Sequence, residues 1–312
     1  DRISIDDFGI PASVLMNNAG KSVAGFIAEK FGDKKVTFFC GTGNNGGDGF
    51  GIARKLLNIS KSLKIYFAGE SLKLSDDAGI NYRAVVNLGT GIPNDMVGRV
   101  CNEEGISDDI MITVESGIYG GVQAGGIDFG IGQNLYAMIG HHEQMDYYNG
   151  AGVDITYMGI GELGEDGSVN STKMGVRCTG AGGFIDITQN AKKVVFLGTF
   201  TAGGAKYKFE NRKLEILQEG KIRKMVRQVA QLSFNGPMAR KKGQEVMVVT
   251  ERAVFQLVKD GVELIEIAPG IDLQTQILDK MDFKPIISKN LRVMDERLFV
   301  QDGPFGLKLK EK

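Results

Sequence analysis

Two apolar, strand-like runs that each lead directly into a glycine-rich loop constrain the fold of this chain more than any other feature. The first run, residues 36–40, enters the loop 41–49, after which a helical pattern spans 50–57 and a second strand spans 63–68. The same order of strand, glycine loop, helix and strand recurs between residues 85 and 114. Such an order packs as a βαβ unit with parallel strands. We therefore predict an α/β fold: an open parallel sheet with glycine-rich strand-to-helix loops.

The C-terminal third of the chain predicts an antiparallel ribbon instead. Two strands, 206–209 and 213–217, flank a turn at Asn211-Arg212. Three more strands between residues 246 and 267 form a meander with a tight turn at Asp260-Gly261. A short helix over 273–281 follows this ribbon.

Composition narrows the classes of partner. The net charge is −1 and no long basic face is present, so we expect no nucleic-acid partner. No apolar run approaches the length of a membrane span, and the three cysteines form no C-x-x-C pair. We therefore expect no membrane span, no disulfide framework and a cytoplasmic location.

The first glycine loop is a candidate phosphate site. Glycines between a strand and a helix let backbone N–H groups approach an anion, which the start of the helix also favours. No Gly-Lys-Ser/Thr closes the loop, so it is not a P-loop. The candidate nucleotide- or phosphate-binding residues are Gly43, Asn44, Asn45, Gly46, Gly47 and Asp48. On spacing alone, a tight turn that caps a helix is an equally good interpretation.

The sequence of this loop resembles a known family. Residues 43–49 (GNNGGDG), with residues 9–20 (GIPASVLMNNAG) upstream, resemble the NAD(P)HX epimerase family. The resemblance implies a Rossmann-like domain over 1–80, with residues 44–49 lining a dinucleotide phosphate site. The segment that carries the family's catalytic Asp has no counterpart, so we expect no epimerase turnover.

The strand over 110–114 delivers Glu115 to its carboxyl end, where open α/β sheets place their ligands. From placement alone, Glu115 is either a solvated turn residue or a catalytic carboxylate. Residues 115–121 (ESGIYGG) and 124–130 (AGGIDFG) resemble the active-site segment of family I coenzyme A (CoA) transferases. Further resemblances, in the family's order, lie at 86–93 (VNLGTGIP), 180–193 (GAGGFIDITQNAKK) and 265–273 (IEIAPGIDL).

This resemblance covers about residues 84–307 and implies that 81–312 is the catalytic second half, or β-half, of such an enzyme. Glu115 would be the nucleophile that attacks a short-chain acyl-CoA, and CoA would pass through a mixed anhydride and a glutamyl-CoA thioester to an acceptor carboxylate. Gly180, Gly182 and Gly183 are the candidates for binding CoA. CoA or acyl-CoA would be the substrate, and transfer would need no metal.

The family has two related halves, and this chain resembles only one. We therefore expect association with a first-half subunit or with a second copy. A first alternative function is a nucleotide-binding, epimerase-like module over 1–78, with the rest as scaffold. A second is a non-catalytic subunit that needs a partner. No motif identifies the acyl group.

Two clusters are interpreted as structural. His141 and His142, read as neighbours on a strand, would point to opposite faces without a third ligand, so we predict no metal site. The cations Lys221, Arg223, Lys224 and Arg227 suggest a phosphate patch. The apolar residues between positions 225 and 232 recur at helical spacing, however, so we predict a solvated helix face.

Overall fold

The computed structural model describes residues 12–31, 35–40, 52, 56, 62–67, 84–89, 92–125, 128–300 and 305–307. The predicted phosphate-loop residues 43–48 lie outside these ranges.

Six α-helices and a larger set of strands make up the described residues. The helices are α1 (Ala12–Phe31), α2 (Ile92–Glu103), α3 (His141–Tyr147), α4 (Phe184–Asn190), α5 (Gly236–Lys242) and α6 (Leu273–Gln276). The strands are β1 (Lys35–Cys40), β2 (Ser62–Phe67), β3 (Ala84–Leu88), β4 (Ile110–Val114), β5 (Ile118–Tyr119), β6 (Val122–Gln123), β7 (Gly132–Gln133), β8 (Ala137–Met138), β9 (Ile155–Gly159), β10 (Glu162–Gly164), β11 (Val169–Asn170), β12 (Lys173–Met174), β13 (Arg177–Cys178), β14 (Lys193–Leu197), β15 (Thr201–Ala202), β16 (Lys206–Glu210), β17 (Lys213–Gln218), β18 (Ile222–Arg223), β19 (Met225–Val226), β20 (Glu245–Val249), β21 (Ala253–Val258), β22 (Gly261–Ile267) and β23 (Ile286–Val293).

One ten-stranded sheet dominates the fold, in the order β23-β22-β21-β20-β14-β9-β3-β4-β5-β8. Its five central strands, β20, β14, β9, β3 and β4, are parallel to one another. Strands β21 and β22 extend it antiparallel on one side, and β5 and β8 do so on the other. The α/β fold with a parallel sheet and a C-terminal antiparallel ribbon is therefore confirmed.

Alternating side chains of the central strands pack into two hydrophobic cores, one on each face of the sheet. Val85 and Met111 belong to the main core, whereas Val86, Leu88 and Ile112 form a smaller cluster on the opposite face. Because successive side chains of a strand point to opposite faces, a strand buried on both faces needs an unbroken apolar run. This requirement explains why the central strands were recognisable from sequence.

A buried hydrogen-bonded network crosses the middle of the sheet. The amide of Asn87 donates to the hydroxyl of Tyr148 (2.9 Å) and accepts from the hydroxyl of Thr156 (2.9 Å). Tyr148 in turn donates to Thr113 Oγ1 (2.8 Å). Burial raises the pKa of the Tyr148 phenol, so the hydroxyl stays neutral. The network ties β3, β4 and β9 together below their carboxyl ends.

The N-terminal elements form a separate, smaller sheet. Strands β1 and β2 are parallel and in register from Lys35–Ser62 to Cys40–Phe67. They pair with no strand of the ten-stranded sheet within the described ranges. The helix predicted over 12–30 corresponds to α1.

Several predicted elements differ from the structure. The segment predicted as a helix face around Lys224 forms the short strands β18 and β19, because Met225 pairs with Leu163 of β10 and is buried there. The turn between β21 and β22 is centred on Lys259-Asp260, one residue earlier than predicted, since Val258 pairs with Gly261.

The other two differences concern helices. His141 and His142 begin helix α3 rather than lying on a strand. The helix predicted over 273–281 ends at Gln276, and a separate 3₁₀ turn spans Leu278–Lys280. Within the ranges that the structure describes, no helix is both long and apolar enough to cross a bilayer.

Candidate active site

The parallel strands create a crevice at their carboxyl ends. Across the sheet, the five parallel strands lie in the order β4-β3-β9-β14-β20. The chain adds β4 on one side of β3 and then β9, β14 and β20 on the other side, so the direction of winding reverses between β3 and β9. Ligands of open α/β sheets bind outside the carboxyl ends of the strands at such a reversal. A cavity of about 850 Å³ lies there, and the residues that end β3, β4 and β9 contribute Gly89, Glu115 and Gly159 to its wall.

Most of the wall is apolar or glycine, with a few polar and charged side chains. The lining residues are Gly89, Glu115, Phe129, Met158, Gly159, Ile160, Gly161, Glu162, Ser171, Met174, Gly175, Thr179, Gly180, Ala181, Gly183, Phe184, Ala202, Ile222, Arg223 and Lys224.

The structure brings Glu115 together with the predicted glycine loop. A Cβ placed on Gly183 would lie 2.4 Å from Oε2 of Glu115, and one placed on Gly182 would lie 3.7 Å from Oε1. Gly183 has an ordinary φ of −80°, so it is the close approach of the Glu115 side chain, not the backbone conformation, that favours glycine at this position. Gly180 lines the same cavity. Glu115, Gly180 and Gly183 thus line one cavity, and Gly182, the fourth residue predicted for this group, lies next to the Glu115 carboxylate.

The loop after β4 holds Glu115 at the cavity wall. Gly117 has φ +102°, and a Cβ there would lie 2.0 Å from the carbonyl oxygen of Ile139, so only glycine fits. Ser116 donates a hydrogen bond to the carbonyl of Gly130 (2.9 Å). Among the described residues, no donor or cation contacts the Glu115 carboxylate within hydrogen-bonding or ion-pairing distance. The backbone around Glu115 is therefore fixed by these two contacts, while its carboxylate is available to a ligand in the cavity.

The sequence predicted Lys224 on a solvated helix face, whereas the structure places it, buried, in the wall of this cavity. Lys224 is only 7% exposed, and its ammonium donates to the carbonyl of Thr199 (2.8 Å). Burial lowers the pKa of Lys224 to about 8, although the charge of Glu251 acts to raise it.

The remaining predicted sites are not part of this cavity. The phosphate loop at 43–48 falls on residues that the structure does not describe. His141 and His142 lie on α3 and do not line the cavity. In the described portion of the chain, no three His, Cys, Asp or Glu side chains are grouped to hold a metal ion.

Known proteins are similar to this chain in sequence and in fold. The chain is 46% identical over 228 residues to acetate CoA-transferase YdiF of Escherichia coli K12, a match that covers 73% of this chain and 43% of YdiF. Over this match the chain is homologous to acetate CoA-transferase YdiF. It is also 44% identical over 220 residues to caffeate CoA-transferase of Acetobacterium woodii, covering 69% of this chain and 42% of that enzyme.

The fold of this homologue matches as well. The crystal structure of YdiF from E. coli O157:H7, a thioester complex with CoA, superposes with a TM-score of 0.69 and 44% identity, covering 74% of this chain and 43% of that one. The sequence matches to YdiF and to caffeate CoA-transferase span less than half the length of those two enzymes.

The N-terminal region has a different relationship. The family described as "YjeF-related protein N-terminus" matches residues 12–126. The epimerase-like resemblance of the first glycine loop is therefore confirmed at the level of the family. The match also runs into the segment that is similar to YdiF.

Replacing Gly183 with alanine should impair any chemistry of Glu115 while leaving the fold intact. The backbone of Gly183 accepts alanine, but the new methyl group would meet Oε2 of Glu115 at 2.4 Å and push the flexible carboxylate aside. A misplacement of about 1 Å at a reacting group costs roughly 100-fold in rate. We expect a comparable loss in the rate at which acyl-CoA labels the chain. An unchanged labelling rate, with a circular dichroism spectrum matching the wild type, would contradict this prediction.

Proposed function

We propose that residues 81–312 form the catalytic half of a CoA transferase, with Glu115 as its nucleophile. The observation that carries this proposal is the unpaired carboxylate of Glu115, which faces a cavity at the carboxyl end of the sheet and lies against Gly182 and Gly183. The similarity to YdiF over 228 residues supports it.

The chemistry follows from a carboxylate and a thioester. An oxygen of Glu115 attacks the thioester carbonyl, the C–S bond breaks, and a mixed anhydride and CoA thiolate result. The thiolate then attacks the Glu115 carbonyl of the anhydride, which releases the original acyl group as its carboxylate and leaves a glutamyl-CoA thioester. An acceptor carboxylate repeats these steps in reverse, so the kinetics are ping-pong. A carboxylate nucleophile carries its own negative charge, so the attack needs no general base to remove a proton.

The glycine loop has a role in the same scheme. Each acyl transfer passes through a tetrahedral oxyanion, which backbone N–H donors stabilise. We propose that Gly180, Gly182 and Gly183 bind CoA around this centre, since they have no side chains that would keep the ligand away from the backbone. No step of this scheme requires a metal ion.

We also propose a domain boundary near residue 80. The small parallel sheet of β1 and β2 belongs to the N-terminal unit, and the ten-stranded sheet begins with β3 at Ala84. The N-terminal unit would bind a nucleotide, a proposal supported by the family match and by the parallel pairing of β1 and β2. Retention of the chain on immobilised NAD would test this second function, whereas retention on immobilised CoA would test the first.

Transfer should depend on a first-half subunit. A CoA site that is open on one side admits water, which weakens oxyanion stabilisation and competes with the acceptor carboxylate for the anhydride. We expect slow acyl-CoA hydrolysis by the chain alone and transfer to acetate only after a first-half subunit of a related enzyme is added. Transfer by the isolated, monomeric chain at the rate of the supplemented mixture would contradict this dependence.

A further inference from the structure

The cavity that holds Glu115 also contains a cation that lacks an anion. Lys224 Nζ lies beside Gly198, at the carboxyl end of β14, where a Cβ on that glycine would be only 3.0 Å away. Its hydrogen-bond acceptor is the neutral carbonyl of Thr199. No carboxylate of the described residues lies within ion-pairing distance of it. The charge of Glu251 acts on Lys224 without contacting it. Buried charges are normally paired in direct contact, so a ligand group is the natural source of an anion that contacts the ammonium.

The other charged side chains of the wall already have partners. Arg223 donates to Asp282 Oδ1 (2.9 Å) and to the carbonyl of Asp279 (3.0 Å), so its guanidinium already has an anionic partner. Glu162 accepts from the amide of Asn170 (2.9 Å) and from the backbone N–H of Ala230 (2.8 Å). Lys224 is therefore the wall residue with a cation to offer to a ligand.

The position of Lys224 relative to Glu115 limits what this ligand group can be. The ends of β4 and β14 are three strand spacings apart, or about 14 Å. The Glu115 side chain spans part of this distance, because it extends to Gly183 at the start of α4. The next residue, Phe184, stacks on Phe196 of β14, with 5.9 Å between the ring centroids. The ammonium is thus too remote for the reacting carbonyl or the thiolate, but near enough for the far end of a short acyl chain.

We propose that Lys224 binds a second carboxylate, at the end of the acyl group opposite the thioester, and so selects dicarboxylic substrates. The inference rests on the proposed function of Glu115. With a pKa of about 8, Lys224 retains its positive charge at neutral pH. The phosphates of CoA fit this position poorly, since they carry several charges and the wall offers one buried ammonium. A carboxylate carries one negative charge and can accept hydrogen bonds from the two N–H groups of the Lys224 ammonium that do not bond to Thr199.

The test compares two thioesters of equal chain length, succinyl-CoA and butyryl-CoA, which differ by the terminal carboxylate. The rate of glutamyl-CoA formation on the full chain is followed by mass spectrometry. The wild type should react faster with succinyl-CoA, and Lys224→Met should lower that rate about 10- to 100-fold while changing the butyryl-CoA rate less than about threefold. The control variant Lys221→Met removes an exposed cation three residues away and should preserve both rates.

Each other outcome overturns the inference in a recognisable way. Equal losses with both thioesters in Lys224→Met would assign Lys224 to CoA binding or to the fold. Unchanged rates with both thioesters in Lys224→Met would show that Lys224 does not contact the substrate. Lys224→Arg keeps the positive charge and should retain most of the preference for succinyl-CoA over butyryl-CoA. Labelling with butyryl-CoA and not with succinyl-CoA would leave the proposed function standing without this specificity. Labelling of the wild type with neither thioester would overturn the proposed function and the inference together.

Discussion

Incubation with acyl-CoA should add the mass of CoA less one water to the peptide that contains Glu115, and Glu115→Gln should abolish this labelling completely. The amide of glutamine is isosteric with the carboxylate but is not a nucleophile, so neither anhydride nor thioester can form. Hydroxylamine should remove the adduct from the wild type, as expected of a thioester. The fold should be unaffected, because no described residue hydrogen-bonds to the carboxylate that is replaced.

A second carboxylate in the same cavity supplies the matched control. Glu162→Gln removes the same charge from the wall, but Glu162 accepts hydrogen bonds from Asn170 and Ala230 and is not directed at the glycine loop. This variant should still be labelled at Glu115. An adduct of the same mass on Glu115→Gln would exclude Glu115 as the nucleophile.

The strands that support the site could be predicted from sequence because burial on both faces makes their patterns distinctive. The prediction for β4, residues 110–114, matches its observed bounds, and Glu115 follows from it directly. The meeting of Glu115 with Gly183 is a tertiary contact between distant segments. No local pattern indicates it, and the resemblance to CoA transferases was what placed both residues in one site.

Lys224 illustrates why the rest of the site was not predictable. The apolar residues that follow it recur at helical spacing, yet the segment forms short strands because Met225 pairs with Leu163. A two-residue strand has no periodicity of its own, so its partner decides the conformation. The burial of a lysine beside it is likewise decided by tertiary packing, and a lysine in isolation indicates a solvated side chain.

A buried arginine offers the largest expected effect on stability. Arg252 is fully buried, and its guanidinium donates to both carboxylate oxygens of Glu219 (2.9 and 3.0 Å), to Glu251 (2.7 Å) and to the carbonyl of Gln276 (3.1 Å). It also lies over the ring of Phe200, 4.9 Å from the centroid. This one side chain therefore connects the end of β17, the start of β21 and helix α6.

Arg252→Met should destabilise the chain by about 3–5 kcal/mol, because it leaves two partly buried carboxylates without their cation. The exposed control variant Arg99→Met, which breaks the surface pair with Glu103, should cost no more than about 0.5 kcal/mol. Both values are the differences in the free energy of unfolding, measured by urea denaturation at pH 7.

The loss in the free energy of unfolding caused by Arg252→Met should also depend on pH, and the pKa of Glu219 determines whether it grows or shrinks as the pH falls. Burial acts to raise this pKa, but hydrogen bonds from Arg252 and Thr201 and the charge of Arg252 hold it below its ordinary value of 4.5. A carboxyl group with a lowered pKa in the folded state contributes stability above its unfolded pKa and loses it as the pH falls through the folded value. The difference between wild type and Arg252→Met should therefore be full at pH 7 and shrink below about pH 4.5. A difference that stays constant down to pH 3 would show that Arg252 acts through packing on Phe200 rather than through its pairing with Glu219.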